Sequence, residues 1–307
     1  MRSKKTTGES LSALDRFYAG PLAMVGATGC YVASDTTMKL ATAGLPLYET
    51  LALRGVFATA CGVLLVFVTG QVRAIPGLID RWVLTRNALE LAAVICYIDA
   101  LVNLPIANVI AILQITPLVV LLGARIAFKE RLGAAPMVCI LLGFTGAVMI
   151  AHPTGEGLSS YALLAIGTAF LGGVRDIVGR MVPVRIAGLV VALGASIIVL
   201  IGTAAMHLII ERTVVPSLKQ VSLLSGSGFF LFSGHYLLYS AYKSGPIAVV
   251  APLYYLVALW AIFAGALFFR TVPDALAIAG MVLVVLTGAA IIVFDPKHKG
   301  KRSARVD

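Results

Sequence analysis

Charge is scarce in this 307-residue chain: Asp, Glu, Lys and Arg make up 12% of it, about half the share of an ordinary soluble domain. With 60% apolar residues and a mean hydropathy of +0.98, too few polar side chains remain to cover a water-facing surface. A soluble fold is excluded, and the solvent is lipid. Cysteine is equally sparse. Cys30, Cys61, Cys96 and Cys139 have no close Cys or His neighbour, which excludes a disulfide framework and zinc spacing. The four histidines, His152, His207, His235 and His298, fall in separate segments, and HExxH and GxSxG are absent. Neither an enzyme nor a cofactor or metal is expected. Among 30 glycines no two lie four apart, so strict GxxxG pairing is missing, although Ala58 with Gly62 and Gly143 with Ala147 still permit close helix contact.

What the chain does have is long apolar runs. A membrane-spanning helix needs about 20 apolar residues, and ten runs meet that need at roughly 19–43, 46–70, 83–102, 105–128, 134–151, 159–181, 187–210, 222–242, 246–268 and 273–294. The breaks near Gln71 to Trp82 and Glu211 to Val221 are too short to fold alone. Polar Ser and Thr follow Arg2, Lys4 and Lys5 without a cleavage site after a short apolar core, so the first helix is expected to stay attached.

The net charge of +10 is informative through its placement rather than its size. With the N-terminus inside, Arg2, Lys4, Lys5, Arg16, Arg73, Arg81, Arg86, Arg125, Lys129, Arg131, Arg175, Arg180, Arg185, Lys243, Lys297, Lys299, Lys301, Arg302 and Arg305 fall on the inner side, against Arg212, Lys219 and Arg270 outside. Both termini are therefore expected in the cytoplasm. The basic tail reads as a topology anchor rather than a nucleic-acid binder.

A shift of 141 positions aligns Pro105, Ile106, Ala107 with Pro246, Ile247, Ala248, Val109 with Val250, Leu118 with Leu259 and Phe128 with Phe269. A shift of 142 aligns Thr145, Gly146, Ala147 with Thr287, Gly288, Ala289. An odd number of spans per half gives the halves opposite topology, as in many secondary transporters. The expected fold is an all-α membrane protein with ten transmembrane helices as two inverted five-helix repeats. Its parts are a cytoplasmic segment 1–18, a first repeat 19–152, a second repeat 153–294 and a basic cytoplasmic tail 295–307.

Lys39, the stretch Leu51, Ala52, Leu53, Arg54, the segment from Ile106 through Thr116, Pro117, Leu118 to Lys129, Glu130, Arg131, Leu132, and the later segments Arg175 to Arg180 and Pro246 to Arg270 together resemble the drug/metabolite transporter superfamily, specifically its EamA-like permeases. The resemblance covers essentially the whole chain. One departure is Thr271, which stands where the first half has Glu130. The resemblance implies a bacterial inner-membrane carrier of amino acids or other small metabolites, commonly an exporter, with a cavity between spans one, three, four, six, eight and nine. A proton-coupled uptake carrier for another metabolite is the alternative, followed by a channel or a non-transporting subunit. Expected partners are a small-molecule substrate, protons as a second cargo, and membrane lipids, with no nucleic acid. The oligomeric state stays open, and a monomer would suffice.

Ionisable groups at membrane depth cost about 2.5 kcal/mol or more when they face lipid, so they should face the bundle interior. Thr28, Tyr31, Asp35, Lys39 and Thr42 form one polar stripe on span one. Asp35 and Lys39, four apart, are expected to pair. Arg54 and Asp99 lie at similar depth and join them in a candidate outer gate, whereas Glu49 reads as a snorkelling surface group. Glu90, with Tyr97 seven residues on, is either a proton acceptor or an ion-pair partner of Arg86. Arg175 and Asp176, about 100° apart on their helix, are expected to choose different neighbours. His235, with Tyr239 and Tyr242 on its face, is a candidate for proton coupling or simply a hydrogen-bonded imidazole. Gln114, Tyr254 and Tyr255 are candidate substrate contacts, and the repeat aligns Gln114 with Tyr255. Pro117 and Pro252 interrupt spans four and nine as candidate hinges, while Pro105 and Pro246 fit helix starts.

Overall fold

The computed structural model describes residues 3–42, 44–104, 109, 112–129, 133–151, 160–270 and 274–293. Regular structure among these residues is helical throughout. The helices are α1 (Ser3–Ala41), α2 (Leu47–Val68), α3 (Arg81–Asn103), α4 (Thr116–Phe128), α5 (Ala134–Ala151), α6 (Ser160–Met181), α7 (Gly188–Ile210), α8 (Leu218–Ser244), α9 (Ile247–Phe269) and α10 (Ala275–Val293). Of these, α2, α6, α7, α8 and α9 are long and apolar enough to cross a membrane by length and composition. α3 carries Arg81, Arg86, Glu90 and Asp99, charges that lower its hydropathy. Pro105, Ile106, Glu130, Arg131, Leu132, His152, Thr271, His298, the tail 295–307 and the 152/153 division lie outside the described residues.

Local chemistry sets several boundaries. Asp80 caps α3 by accepting the Trp82 amide at 2.9 Å. Ser217 and Gln220 form a reciprocal capping box, which starts α8 at Leu218, four residues earlier than the apolar run suggests. α1 begins at Ser3 rather than near residue 19 and contains Pro21. Polar residues lacking a strong helix stop simply extend it beyond its apolar part. The break after α2 holds a 3₁₀ helix, Gln71–Ile79. Residues 114–115 form a turn before α4, which has Pro117 in its first turn. α9 passes through a 3₁₀ segment, Ala251–Tyr255, with Pro252 near its start. Proline lacks the amide a continuous α-helix needs at both places.

The principal interfaces are α1 with α8, α3 with α6, α2 with α7 and α5 with α10, followed by α2 with α8, α4 with α6, α1 with α9 and α3 with α7. α1 and α8 are antiparallel. Gly20 backs onto Gly245 at one end, and Ser34 and Ser227 exchange hydroxyl-to-carbonyl bonds of 2.9 and 2.7 Å midway. At the other end Gln220 donates to the Ala41 carbonyl at 3.2 Å. The Gly245 carbonyl also accepts from Arg180 near the end of α6, so α1 and α6 finish at opposite ends of the bundle. Large apolar side chains such as Phe67, Val68, Leu208 and Leu267 point outward, as lipid contact requires.

The α1–α2 end is tied by carboxylates. Glu211 accepts the Tyr48 and Glu49 amides at 3.0 and 2.9 Å and meets His207 Nδ1 at 3.1 Å, while Glu49 accepts the Val214 amide at 3.0 Å. Glu49 is therefore a buried connector between α2 and the α7–α8 segment, not a snorkelling group. Its amide partner stands in for the water that snorkelling would have reached. Burial alone would raise the Glu211 carboxyl, but the two amides and His207 outweigh it and hold the group below its usual range. A depressed carboxyl stabilises the fold above its unfolded pKa and loses that contribution as pH falls through the folded value. Thermal unfolding should thus show an acid-side loss setting in below about pH 4, and Glu211→Gln should remove that step.

Candidate functional site

Tyr31 is aimed at α8 because α1 is clamped on two sides. The Ser34–Ser227 exchange fixes it against α8, and Trp260 of α9 donates to Thr28 Oγ1 at 3.2 Å. The absence of a side chain at Gly234 leaves room for the Tyr31 ring, which a Cβ there would meet at 3.1 Å.

One tier of the site joins α1 and α2. Arg54 Nη1 donates to Asp35 Oδ1 at 3.1 Å. Asp35 therefore pairs across helices with Arg54, whereas Lys39 lies 4.4 Å from the centroid of the Phe269 ring. The expected Asp35–Lys39 pair does not form, because one more turn carries the lysine to the α9 terminus. The Asp35 side chain is 62% accessible while Arg54 is sheathed. Tyr97 of α3 and Tyr254 of α9 both lie within electrostatic reach of that carboxylate. The accessible carboxylate thus sits on α1 with its ion-pair partner on α2 and tyrosines of α3 and α9 in electrostatic reach. Asp99 lies beside the Tyr48 phenol, and its main-chain carbonyl accepts from Asn103.

The second tier is buried among α3, α6 and α8. Arg175 Nη1 donates to Glu90 Oε2 at 2.6 Å, and its Nε and Nη2 reach Asp176 Oδ1 at 2.9 and 2.8 Å. Glu90 thus takes Arg175 as its ion-pair partner, not Arg86. Arg175 and Asp176, expected to part, are joined because the long guanidinium side chain curls back over its own neighbour. Arg86, 1% exposed, donates to Asn87 Oδ1 at 3.2 Å and stands 6.0 Å from the Tyr239 ring centroid. His235 Nδ1 shares a 3.2 Å hydrogen bond with the Tyr31 hydroxyl. Tyr254 lies within electrostatic reach of Arg175, Asp176, Glu90 and Asp35 and so connects the tiers. Gln114 and Tyr255 are buried. Tyr255 packs against the α5 backbone, where only a glycine at 143 leaves it space.

The interior thus opposes Arg86 and Arg175 to Glu90 and Asp176, with Arg54 balancing Asp35. Such a balanced, aromatic-lined interior suits a dipolar or amphipathic organic solute. Among the described residues no group of three or more His, Cys, Asp or Glu could hold a metal ion.

Two contacts at opposite ends of the bundle share one pattern. Lys39 of α1 lies over Phe269 of α9 at 4.4 Å, and Arg180 of α6 lies over Phe128 of α4 at 5.5 Å. Both rings end their helices, and the next residues, Lys129 and Arg270, are left-handed at φ 53°. Lys39 and Arg180, Phe128 and Phe269, Lys129 and Arg270, and also Asp35 and Asp176 are each separated by 141 positions. The matching charged pairs were readable from sequence by testing the shift on ionisable residues rather than on apolar tripeptides. Asn87 is absent from the sequence reading, which takes Arg86 and Asp176 only as neighbours of Glu90 and Arg175, and Arg180 only as a basic residue at the inner end.

Residues 18–152 match the EamA-like transporter family. The pseudopaline exporter CntI of Pseudomonas aeruginosa is 27% identical over 285 residues, covering 91% of this chain and 97% of that protein. A riboflavin transporter of Rhizobium johnstonii is 27% identical over 227 residues, 71% of this chain and 72% of its own. One from Vibrio cholerae is 25% identical over 227 residues, 73% and 75%. A protein crystal structure shares the fold with a TM-score of 0.74 at 19% identity, covering 89% of this chain and 97% of that one. These matches are to transporters rather than to enzymes, and they liken the chain to multi-pass bacterial membrane permeases, with its first half similar to the EamA-like family.

Proposed function

We propose that the protein is a secondary active carrier of the bacterial inner membrane, with both termini cytoplasmic. It moves small polar or amphipathic metabolites, amino acids foremost and outward, by alternating access between two inverted five-helix halves, α1–α5 and α6–α10. The observation that carries the reading is the pair of cation–ring contacts at opposite ends. Exchanging each helix for the one five later turns α1–α9 into α6–α4, and with it Lys39–Phe269 into Arg180–Phe128. The same exchange turns α1–α8 into α6–α3 and α2–α8 into α7–α3, and returns α2–α7 and α5–α10 onto themselves. An inverted pseudo-two-fold predicts that pattern.

A carrier needs one closure at each end, engaged in turn, so that the centre never opens to both sides. Lys39–Phe269 would then close the outer end and Arg180–Phe128 the inner. Each cation–ring contact is worth roughly 0.5–2 kcal/mol, weak enough for substrate binding to release. The name of the P. aeruginosa relative supports export. The riboflavin transporters support a second reading, a carrier of another metabolite; as proton-coupled uptake it would use the His235–Tyr31 bond as the site for a coupled proton.

Counterflow in proteoliposomes tests the proposal. Preloaded unlabelled amino acid should drive transient accumulation of the labelled one, saturably, while riboflavin should not exchange. Flux that grows linearly with concentration and ignores the trans side would indicate a channel instead.

A further inference from the structure

Three buried polar atoms near the second tier have no hydrogen-bond partner among the described residues: Asp176 Oδ2, the Tyr242 hydroxyl and the Tyr255 hydroxyl. Their residues are 5%, 2% and 1% exposed. A buried polar atom without a partner costs about 1–3 kcal/mol, more if it is charged. Three in one neighbourhood is therefore an arrangement that a ligand would relieve. Tyr242 and Tyr255 pack in one buried cluster, and α6, which carries Asp176, packs against α8, which carries Tyr242, where the Asp176 carboxylate acts on the Tyr242 phenol.

The division of labour within Asp176 identifies the ligand chemistry. Oδ1 already accepts a hydrogen bond from Arg175 Nε and lies in ion-pair contact with its Nη2, whereas Oδ2 accepts none. With the two phenol oxygens it offers three acceptors, and a primary ammonium has three donors and no acceptor. Arg86 supplies the complement. It is a buried guanidinium that donates to the neutral Asn87 amide oxygen, and it lies within electrostatic reach of Asp176. A ligand carrying its own carboxylate would satisfy that cation and add no net charge to a balanced interior, whereas a simple amine would leave one uncompensated.

We infer that Asp176 Oδ2, Tyr242 and Tyr255 form the ammonium-binding subsite of the carrier, with Arg86 facing the carboxylate of the same zwitterion. This assignment rests on the transport reading above and narrows it to solutes with a free primary amine.

The experiment is counterflow with a labelled pool of amino acids, competed by the same pool unmodified or N-acetylated, on wild type, Tyr242→Phe, Tyr255→Phe and Asp176→Asn. N-acetylated compounds should not compete. The phenylalanine variants should raise KM roughly tenfold or more, the scale of a lost hydrogen bond to a charged group. Their thermal midpoints should stay level or rise, because the deleted hydroxyls have no partner in the empty protein. A merely structural hydroxyl would lower the midpoint and spare KM. Asp176→Asn should abolish competition by the amine. Should it fail to fold, the two phenylalanine variants decide the matter. Amino-acid flux with unchanged KM in both phenylalanine variants, or with N-acetylated compounds competing equally, would overturn the subsite while leaving the carrier intact. Flux of riboflavin but of no amino acid would overturn the subsite and its zwitterion class alone. Loss of all carrier behaviour would overturn both readings.

Discussion

Arg175→Ala should be the most damaging single substitution in the interior, costing roughly 3–5 kcal/mol of stability. The guanidinium serves two carboxylates at once, Glu90 through Nη1 and Asp176 through Nε and Nη2. Its removal leaves both buried acids without their nearest counter-charge, with Arg86 as the guanidinium still beside them. Glu90→Gln should cost less, because Arg175 keeps Asp176 and the amide oxygen still accepts a hydrogen bond. The order is the informative part. Thermal unfolding in detergent, followed by size-exclusion recovery, should rank wild type above Glu90→Gln and Glu90→Gln above Arg175→Ala. The reverse order would mean that Glu90, not Arg175, is the hub of the cluster.

Gly228→Ala should be the second large effect, and it acts through shape alone. A Cβ at Gly228 would lie 2.6 Å from Phe57 Cβ, 2.7 Å from the Ala58 nitrogen and 2.8 Å from the Arg54 carbonyl oxygen. Two of these atoms are backbone and cannot rotate away, so α8 must move off α2. Overpacking of this kind costs about 1–3 kcal/mol, and the shift also drags Arg54 from Asp35. Gly226→Ala, two positions earlier on the same helix, is the control. Nothing lies within 4 Å of its Cβ position, so gaining alanine's helix preference should leave the protein level or stabilise it by up to about 1 kcal/mol. Equal thermal midpoints for the two alanine variants would contradict the close α2–α8 approach.

The residues that face the interior were legible in sequence, and their partners were not. The span-one stripe, Glu90, Arg175 and His235 stand out because charges at membrane depth must turn away from lipid. Which acid meets which base depends on helix rotation and on the reach of a long side chain, neither of which periodicity encodes. Asp35 therefore pairs with Arg54 across helices rather than with Lys39 on its own, and Glu90 prefers an arginine 85 residues away to one four residues away. Helix ends were misplaced where capping chemistry or polar helix formers extend beyond the apolar run, as at Ser217 and along Ser3–Ala19. Glu49 was misread for a related reason. Depth alone cannot distinguish a carboxylate reaching for water from one accepting an amide of a connecting segment. The hydrogen-bonded Tyr31–His235 pair was within reach of sequence reasoning only as one of two alternatives, since a lone imidazole states neither its partner nor its tautomer.

The central claim is that the two ends of one bundle open in turn. Spin labels placed in a background with Cys30, Cys61, Cys96 and Cys139 replaced by alanine measure it directly, with one pair at Leu40 and Leu267 and the other at Ile126 and Val184, all exposed positions beside the two cation–ring contacts. Electron–electron distance distributions in liposomes, with and without transported amino acid, should move in opposite senses, one pair lengthening as the other shortens. Both pairs lengthening together, or neither changing in a protein that transports, would contradict the account.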